Sequence, residues 1–394
     1  MSNVQAIVTG RVAQRGDDLI IRVEMIDTRD NRQLWSENFT RNPSDIQKLQ
    51  TDISREITEN LHLRLSGAQT RQLIKQEMTN SLAYELLLKG LFYWRKRGEE
   101  NQKKAIEYYE QAIAVDPNYA IAYAKLSVSY TLLAGNGIVN PKEFIPKAEG
   151  AARKALELDE NLADAHLARA MLYQNAWDWA AAEAAFKRAI ELNPNLVDAR
   201  IRYSDYLSII ERHDEAITET KRAVELDPLS LYAKLYVATA FYLARRFDQA
   251  IVESEKMLEL DKKNIPAYST LGFCYGAKGM YGQAIANYQE AARLSSAPQG
   301  SQIYLGMVYA RSGEREKALN ILKQAETSRE YVSPNELAVL YIALNEREKA
   351  FASLEKAYTA HDSQLQYLKV DPFFDPLRDD PHFQDLLRRV GLPQ

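Results

Sequence analysis

Between Gly10 and Asp27 apolar and polar positions alternate. Val12, then Leu19, Ile21, Val23 and Met25, stand between residues such as Arg22 and Glu24, the period of two expected of a half-buried strand. Arg15-Gly16-Asp17-Asp18 is turn chemistry joining two such runs. The pattern predicts three strands, over about 5–14, 19–27 and 33–41, the last with Trp35 and Phe39 on one side. After Asn42-Pro43-Ser44 the period changes. Ser44 and Gln47 have capping-box spacing, and Ile46, Leu49, Ile53, Ile57, Leu61 and Leu65 recur at three- and four-residue steps, one apolar face of a helix.

Downstream, the pattern repeats. "AIELNPN" at Ala189, "AVELDPL" at Ala223, "MLELDKK" at Met257 and "AARLSSA" at Ala291 start 34 residues apart, and "AIAVDPN" and "ALELDEN" precede them. Each unit reads as two helices. Ala170, Ser204, Ala238, Gly272 and Gly306 hold a small position in the first, and Ala182, Ala216, Ala250, Ala284 and Ala318 one in the second. Small residues are needed where two antiparallel helices cross closely, and enlarging one costs roughly 1–3 kcal/mol through overpacking. Asp116-Pro117, Asn193-Pro194 and Asp227-Pro228 close units, because proline cannot continue a helix. Where Glu160, Lys262 and Ser296 replace that proline, smoother boundaries are expected. Eight units are expected, starting near Ala83, Ala120, Ala163, Val197, Leu231, Ile265, Gln299 and Tyr331, with "GNGIVNPKE" from Gly135 as a protruding loop in the second. Asp380-Pro381 reads as an N-cap with proline in the first turn. It opens a short helix striped by Phe383, Leu386, Leu387 and Val390, an end cap for the last apolar face of a stacked array.

Small residues at these spacings, a 34-residue period and a closing proline resemble the tetratricopeptide repeat. The segment from "IVTGRVAQRGDD" to "QTDISREI" is similar to the second half of the TolB-like α/β domain, which precedes such repeats in bacterial winged-helix regulators, Ser/Thr protein kinases and adenylate cyclases. The end segment "YLKVDPFFDPLRDDPHFQDLLRRVGLP" resembles the tail of the same proteins. The resemblance implies a mainly α fold, a superhelical α-α solenoid behind a small, partial β-β-β-α segment. The expected division is 1–66 for the TolB-like segment, 67–82 for a linking helix, 83–364 for the repeats and 365–394 for the cap.

The 394 residues carry a net charge of −4 and a pI near 5.9, so no global basic field draws the chain to nucleic acid or anionic lipid. One cysteine, Cys274, rules out an internal disulfide framework. The five histidines make no metal-ligand spacing, and Gly272, Gly276, Gly279 and Gly282 lack the Gly-Lys-Ser/Thr ending and preceding strand of a phosphate loop. The basic cluster "WRKRGEENQKK" from Trp94 reads as a solvated helix–turn face. No catalytic, cofactor-binding or metal-binding residue is assigned, and no cofactor is expected. No apolar segment follows a basic start, and a cytoplasmic location is expected, or an extracytoplasmic one for a membrane-tethered parent.

The remaining candidate is the inner side of the first helices, where the resemblance places partner grooves. There the expected lining is Leu167, Met171, Ile201, Tyr232, Leu235, Tyr236, Thr239, Tyr242, Phe273, Ile303 and Met307, tyrosine giving contact area with a hydroxyl and methionine repacking around varied ligands. The expected function is a non-catalytic protein-interaction scaffold that binds a partner helix or peptide. The alternative is the sensor or regulatory tail of a bacterial signalling protein whose effector domain lies outside this chain.

Overall fold

The computed structural model describes residues 6–15, 18–27, 30, 32–41, 52–53, 80–96, 98–135, 141–295, 299–328 and 332–392. The chain divides into two compact units, residues 1–123 and 124–394.

In the first unit, strands β1 (Ala6–Arg15), β2 (Asp18–Asp27) and β3 (Gln33–Arg41) form an antiparallel sheet in sequence order, matching the three expected strands. The register pairs Val12 with Ile21 and Ile21 with Phe39, and the period of two then puts Val23, Met25 and Phe39 among the buried residues. Ile21, Trp35 and Ile53 pack against Val23 and Phe39. Val8, Val12 and Leu34 are exposed. Of the expected helix over 44–65, only Asp52 and Ile53 lie within the described residues, and both are helical. The linking segment 67–82 is described only from Asn80, whose side chain accepts the Leu82 N–H at 2.9 Å. Helices α1 (Ser81–Lys96) and α2 (Glu99–Val115) follow as the first repeat pair.

From there the helices alternate in pairs. They are α3 (Ala120–Gly135) with α4 (Pro141–Leu158), α5 (Ala163–Asn175) with α6 (Trp179–Leu192), α7 (Val197–Ile209) with α8 (His213–Leu226), and α9 (Leu231–Leu243) with α10 (Phe247–Leu260). Next come α11 (Ile265–Ala277) with α12 (Tyr281–Leu294), α13 (Gln299–Arg311) with α14 (Arg315–Thr327), and α15 (Pro334–Ala343) with α16 (Arg347–Thr359). Two short 3-10 helices, Ser363–Tyr367 and Pro372–Leu377, lead to α17 (Pro381–Val390). First helices begin within a few residues of the eight expected starts.

The small positions do what close approach requires. Ala170, Ala182, Ala216, Ala250, Ala284 and Ala318 are wholly buried. A Cβ added to Gly272 would stand 2.7 Å from the Tyr288 ring. Two expectations change. The extra residues after Gly135 do not all form a loop. Helix α3 runs 16 residues against 13 in α5 and takes in Gly135, and α4 runs 18 against 14 in α6 and takes in 141–143; residues 136–140 lie outside the described residues. At Glu160 and Lys262 the units also stop as sharply as the others, because the acidic residue before them makes the turn, while the Ser296 boundary lies outside the described residues. Asp159 accepts the Asn161 N–H at 3.2 Å and Asp261 the Lys263 N–H at 3.0 Å. Asp116 and Asn193 make the same turn before a proline.

Candidate functional site

Within the second unit, the chain after α16 does not simply cover the last repeat. From His361 onward it runs along the first helices, in the order of the repeats, as a strap. His361 Nε2 meets the Asn175 carbonyl at 2.8 Å, and Ser363 Oγ donates to the Gly135 carbonyl at 2.5 Å. Gln174 donates to Gln366 at 2.9 Å, and the Tyr367 hydroxyl donates to Asp205 at 2.9 Å. Farther along, Tyr242 donates to Asp371 at 3.1 Å, and Phe373 packs against Phe273 and Tyr304 with ring centroids 5.4 and 5.5 Å apart. The strap is held inside by Leu365, Leu368, Val370, Phe374 and Leu377, all buried. Each of its turns is capped by its own aspartate. Asp362 accepts from the Gln364 N–H, Asp371 from Phe373 and Asp380 from His382. Phe383, Leu386 and Val390 of α17 are buried as expected, and Trp179 donates to the Val390 carbonyl at 3.2 Å.

The turns inside the repeats also reach the strap. Trp177, Glu211, Arg245, Gly279 and Gly313 occupy one register 34 residues apart, and all five have φ between 60° and 91°. Glycine fits that left-handed position best. The three larger side chains each touch the strap or its approach. Trp177 stacks on His361 at 3.9 Å, Glu211 pairs with Lys369 at 2.7 Å, and Arg245 holds Asp375 through two bonds of 2.6 and 2.7 Å.

The strap alters the expected groove. Leu167, Met171, Ile201, Tyr242, Ile303 and Met307 are buried, so their side chains are not open surface. Ile201 packs with Ala223 and Ala233, and Tyr242 lies beneath Asp371 and beside Phe273. Tyr232, Leu235, Tyr236, Thr239 and Phe273 are half-buried. Met171, Tyr236, Thr239, Tyr242 and Phe273 come together on the wall of a partly open cavity of about 370 Å³ between the first helices and the strap. Leu167, Ile201, Tyr232, Leu235, Ile303 and Met307 are not on that wall.

Charged residues that the apolar pattern passes over complete the cavity: Arg202 and Asp205 from α7 and Asp371 from the strap. Arg202 donates to the Tyr236 hydroxyl at 2.7 Å and to Tyr232, and its guanidinium lies 5.4 Å from each ring centroid. Asp205 is buried, which raises its pKa, while the Arg202 charge and hydrogen bonds from Tyr367 and Gln174 pull the other way. Burial likewise lifts Asp371 to about 6. Near the strap's start, burial and the neighbouring Asp362 lift Glu336 to about 7. The buried Cys274 thiol is pushed up to about 12 by desolvation. Among the described residues no cluster of three or more His, Cys, Asp or Glu could hold a metal ion, and no helix is long and apolar enough to cross a membrane.

Comparison with known proteins agrees with the helix pairs. Two family models, each described as tetratricopeptide repeat, match residues 163–196 and residues 86–119 and 265–298. A curated relative, "Putative adenylate cyclase 3" of Rhizobium meliloti (strain 1021), is 24% identical over 173 residues, 43% of this chain and 29% of its own length. The match thus spans under a third of that relative. Among solved structures, the APC/C hetero-tetramer Cut9-Hcn1 is similar with a TM-score of 0.51 and 18% identity, covering 80% of this chain and 56% of that one. Yeast Tom70 is similar with a TM-score of 0.47 and 17% identity, covering 78% of this chain and 67% of that one.

Proposed function

For a chain of tetratricopeptide repeats, the family whose solenoids serve as protein-interaction scaffolds, we propose a non-catalytic scaffold that holds a partner helix or extended segment on the concave, first-helix side. The observation that supports this reading is the strap itself. Residues 361–377 already pack against the first helices and the turns after them in cis, held by aromatic packing, tyrosine–aspartate hydrogen bonds and ion pairs, the interactions a foreign segment would use. The strap takes the floor of the groove, so the partner lies beside it, against the half-buried Tyr232, Leu235, Tyr236 and Thr239 of α9. Capture on immobilised full chain tests this. Leu235→Asp should cut retention of specific partners about tenfold, a loss near 1.4 kcal/mol, with an unchanged melt. An identical partner set at equal yield on both proteins refutes the placement.

A second reading is favoured by the similarity to the cyclase-named relative: the sensor or regulatory tail of a bacterial signalling protein. Sequencing the transcript upstream of the Met1 codon separates the two. An open frame encoding the rest of an α/β domain and an effector supports the tail, and an in-frame stop refutes it. We place the scaffold in the cytoplasm and a tethered tail beyond the membrane, which fractionation of tagged cells checks.

A further inference from the structure

Arg202 and Asp205 lie three residues apart on α7, one turn of one helix face, the spacing at which opposite charges ordinarily pair. They do not. Both line the cavity, yet among the described residues no ion pair forms on the Arg202 guanidinium. Its acceptors are the Tyr232 and Tyr236 hydroxyls. A guanidinium has five N–H donors, so three remain for something else. Asp205 takes the Tyr367 hydroxyl on both oxygens and a hydrogen bond from Gln174, which leaves it part of the roughly four acceptor sites of a carboxylate. A partly desolvated cation and a buried carboxylate, side by side and unjoined, are costly unless the gap between them is filled by matching charge.

The rest of the wall says what body accompanies that charge. Tyr242, Phe273, Tyr304 and Phe373 pack on one another as an aromatic end of the wall, Met171 adds apolar lining, and Asp371 is a second carboxylate. With two carboxylates against one guanidinium, a simple anion is disfavoured at neutral pH. A simple cation leaves Arg202 without a counter-charge. A volume of about 370 Å³ lies in the range of small-molecule sites.

We infer that the cavity between α7 and the C-terminal strap is a binding site for a small zwitterion, a free α-amino acid with a large apolar or aromatic side chain. Its carboxylate takes the remaining N–H donors of Arg202, its ammonium lies on Asp205, and its side chain enters the aromatic end. Because Tyr367, Asp371 and Phe373 belong to the strap, ligand and strap stabilise each other. The inference does not rest on the scaffold reading: Tyr236 and Thr239 belong both to the cavity wall and to the partner's proposed place, but titration with a small molecule needs no protein partner, so either reading can fail alone.

The test is titration calorimetry of the full chain with L-phenylalanine and L-leucine, beside phenylacetate, which lacks the ammonium, and phenethylamine, which lacks the carboxylate. The expected result is one-to-one binding of at least one amino acid, each single-charge analogue of phenylalanine being at least about tenfold weaker. Asp205→Asn should weaken binding about tenfold or more while the unliganded melt is kept. Arg202→Lys should do the same, and if that variant fails to fold, Asp205→Asn and the analogue series carry the decision. Absence of heat and of any melting shift with both amino acids overturns the proposal. So does equal binding of a single-charge analogue, or undiminished binding by a folded Asp205→Asn.

Discussion

Replacing Phe374 by alanine separates two ways in which the strap could be held. Phe374 is 1% exposed and stacks on Phe383 with centroids 5.9 Å apart. Removing a fully buried phenylalanine ring costs about 3–5 kcal/mol, from lost transfer energy and the cavity left behind. The most conspicuous polar tie is the two-bonded pair between Arg245 and Asp375, whose side chains are 46% and 39% exposed. At that exposure water screens the pair, and a contribution under about 1 kcal/mol is expected. Arg245→Gln keeps a side chain at the left-handed position and removes only the charge. Urea unfolding of full-length chains, followed by circular dichroism, should therefore show a large fall in midpoint for Phe374→Ala and a small one for Arg245→Gln. Limited trypsin digestion should cut after Arg378 sooner in the phenylalanine variant. If Arg245→Gln costs as much as Phe374→Ala, or if Phe374→Ala is neutral, burial does not hold the strap.

Three shorter predictions test other parts of the second unit. Glu336 has a folded pKa of about 7 against an ordinary 4.5, so the folded state binds the extra proton and stability falls as pH rises between those values. Glu336→Gln should remove that slope and raise the urea midpoint at pH 8 relative to the parent, with little change at pH 4; an unchanged slope sinks the assignment. Gly272→Ala should destabilise by about 1–3 kcal/mol, since its new methyl meets the Tyr288 ring, and an equal or higher midpoint would mean the ring yields freely. Cys274, buried and with its thiolate disfavoured, should resist iodoacetamide at pH 8 until urea unfolds the chain, as mass spectrometry of the alkylated protein would show.

Pattern reading succeeded where the cause is local. The alternation through Val23 and Met25 gave the strands to within about a residue, and the alanine register gave the helix pairs, because both periods are properties of one element. It failed where the cause is remote. Tyr242 looked like groove surface, but Asp371, 129 residues away, covers it. Gln174 meets a partner 192 residues on. Because α7 also carries Asp198 and Arg200 and nothing local sets the four charges apart, Arg202 and Asp205 resemble solvent-facing residues in the pattern. Only the strap's return makes them interior. The boundary turns at Asp159 and Asp261 were misjudged for a local reason: aspartate can end a helix through its own side chain, without the proline that follows it elsewhere.

One remote feature did leave a local trace. A non-glycine residue in the left-handed region costs roughly 1–2 kcal/mol, so the 34-residue register of Trp177, Glu211, Arg245, Gly279 and Gly313 should favour glycine throughout. Glycine appears where no strap contact is made, and large residues where one is. The cost at Trp177 must then be offset by its stacking on His361 and, at 5.6 Å, on Tyr358, aromatic pairs each contributing about 0.5–1.5 kcal/mol beyond their buried area. Trp177→Gly should accordingly lower the urea midpoint although it relieves the backbone. Asn345→Gly, at φ 62° on an exposed residue, should lose nothing. If both substitutions were neutral or stabilising, the side chain at Trp177 would have no part in holding the strap, and its departure from glycine would need another cause.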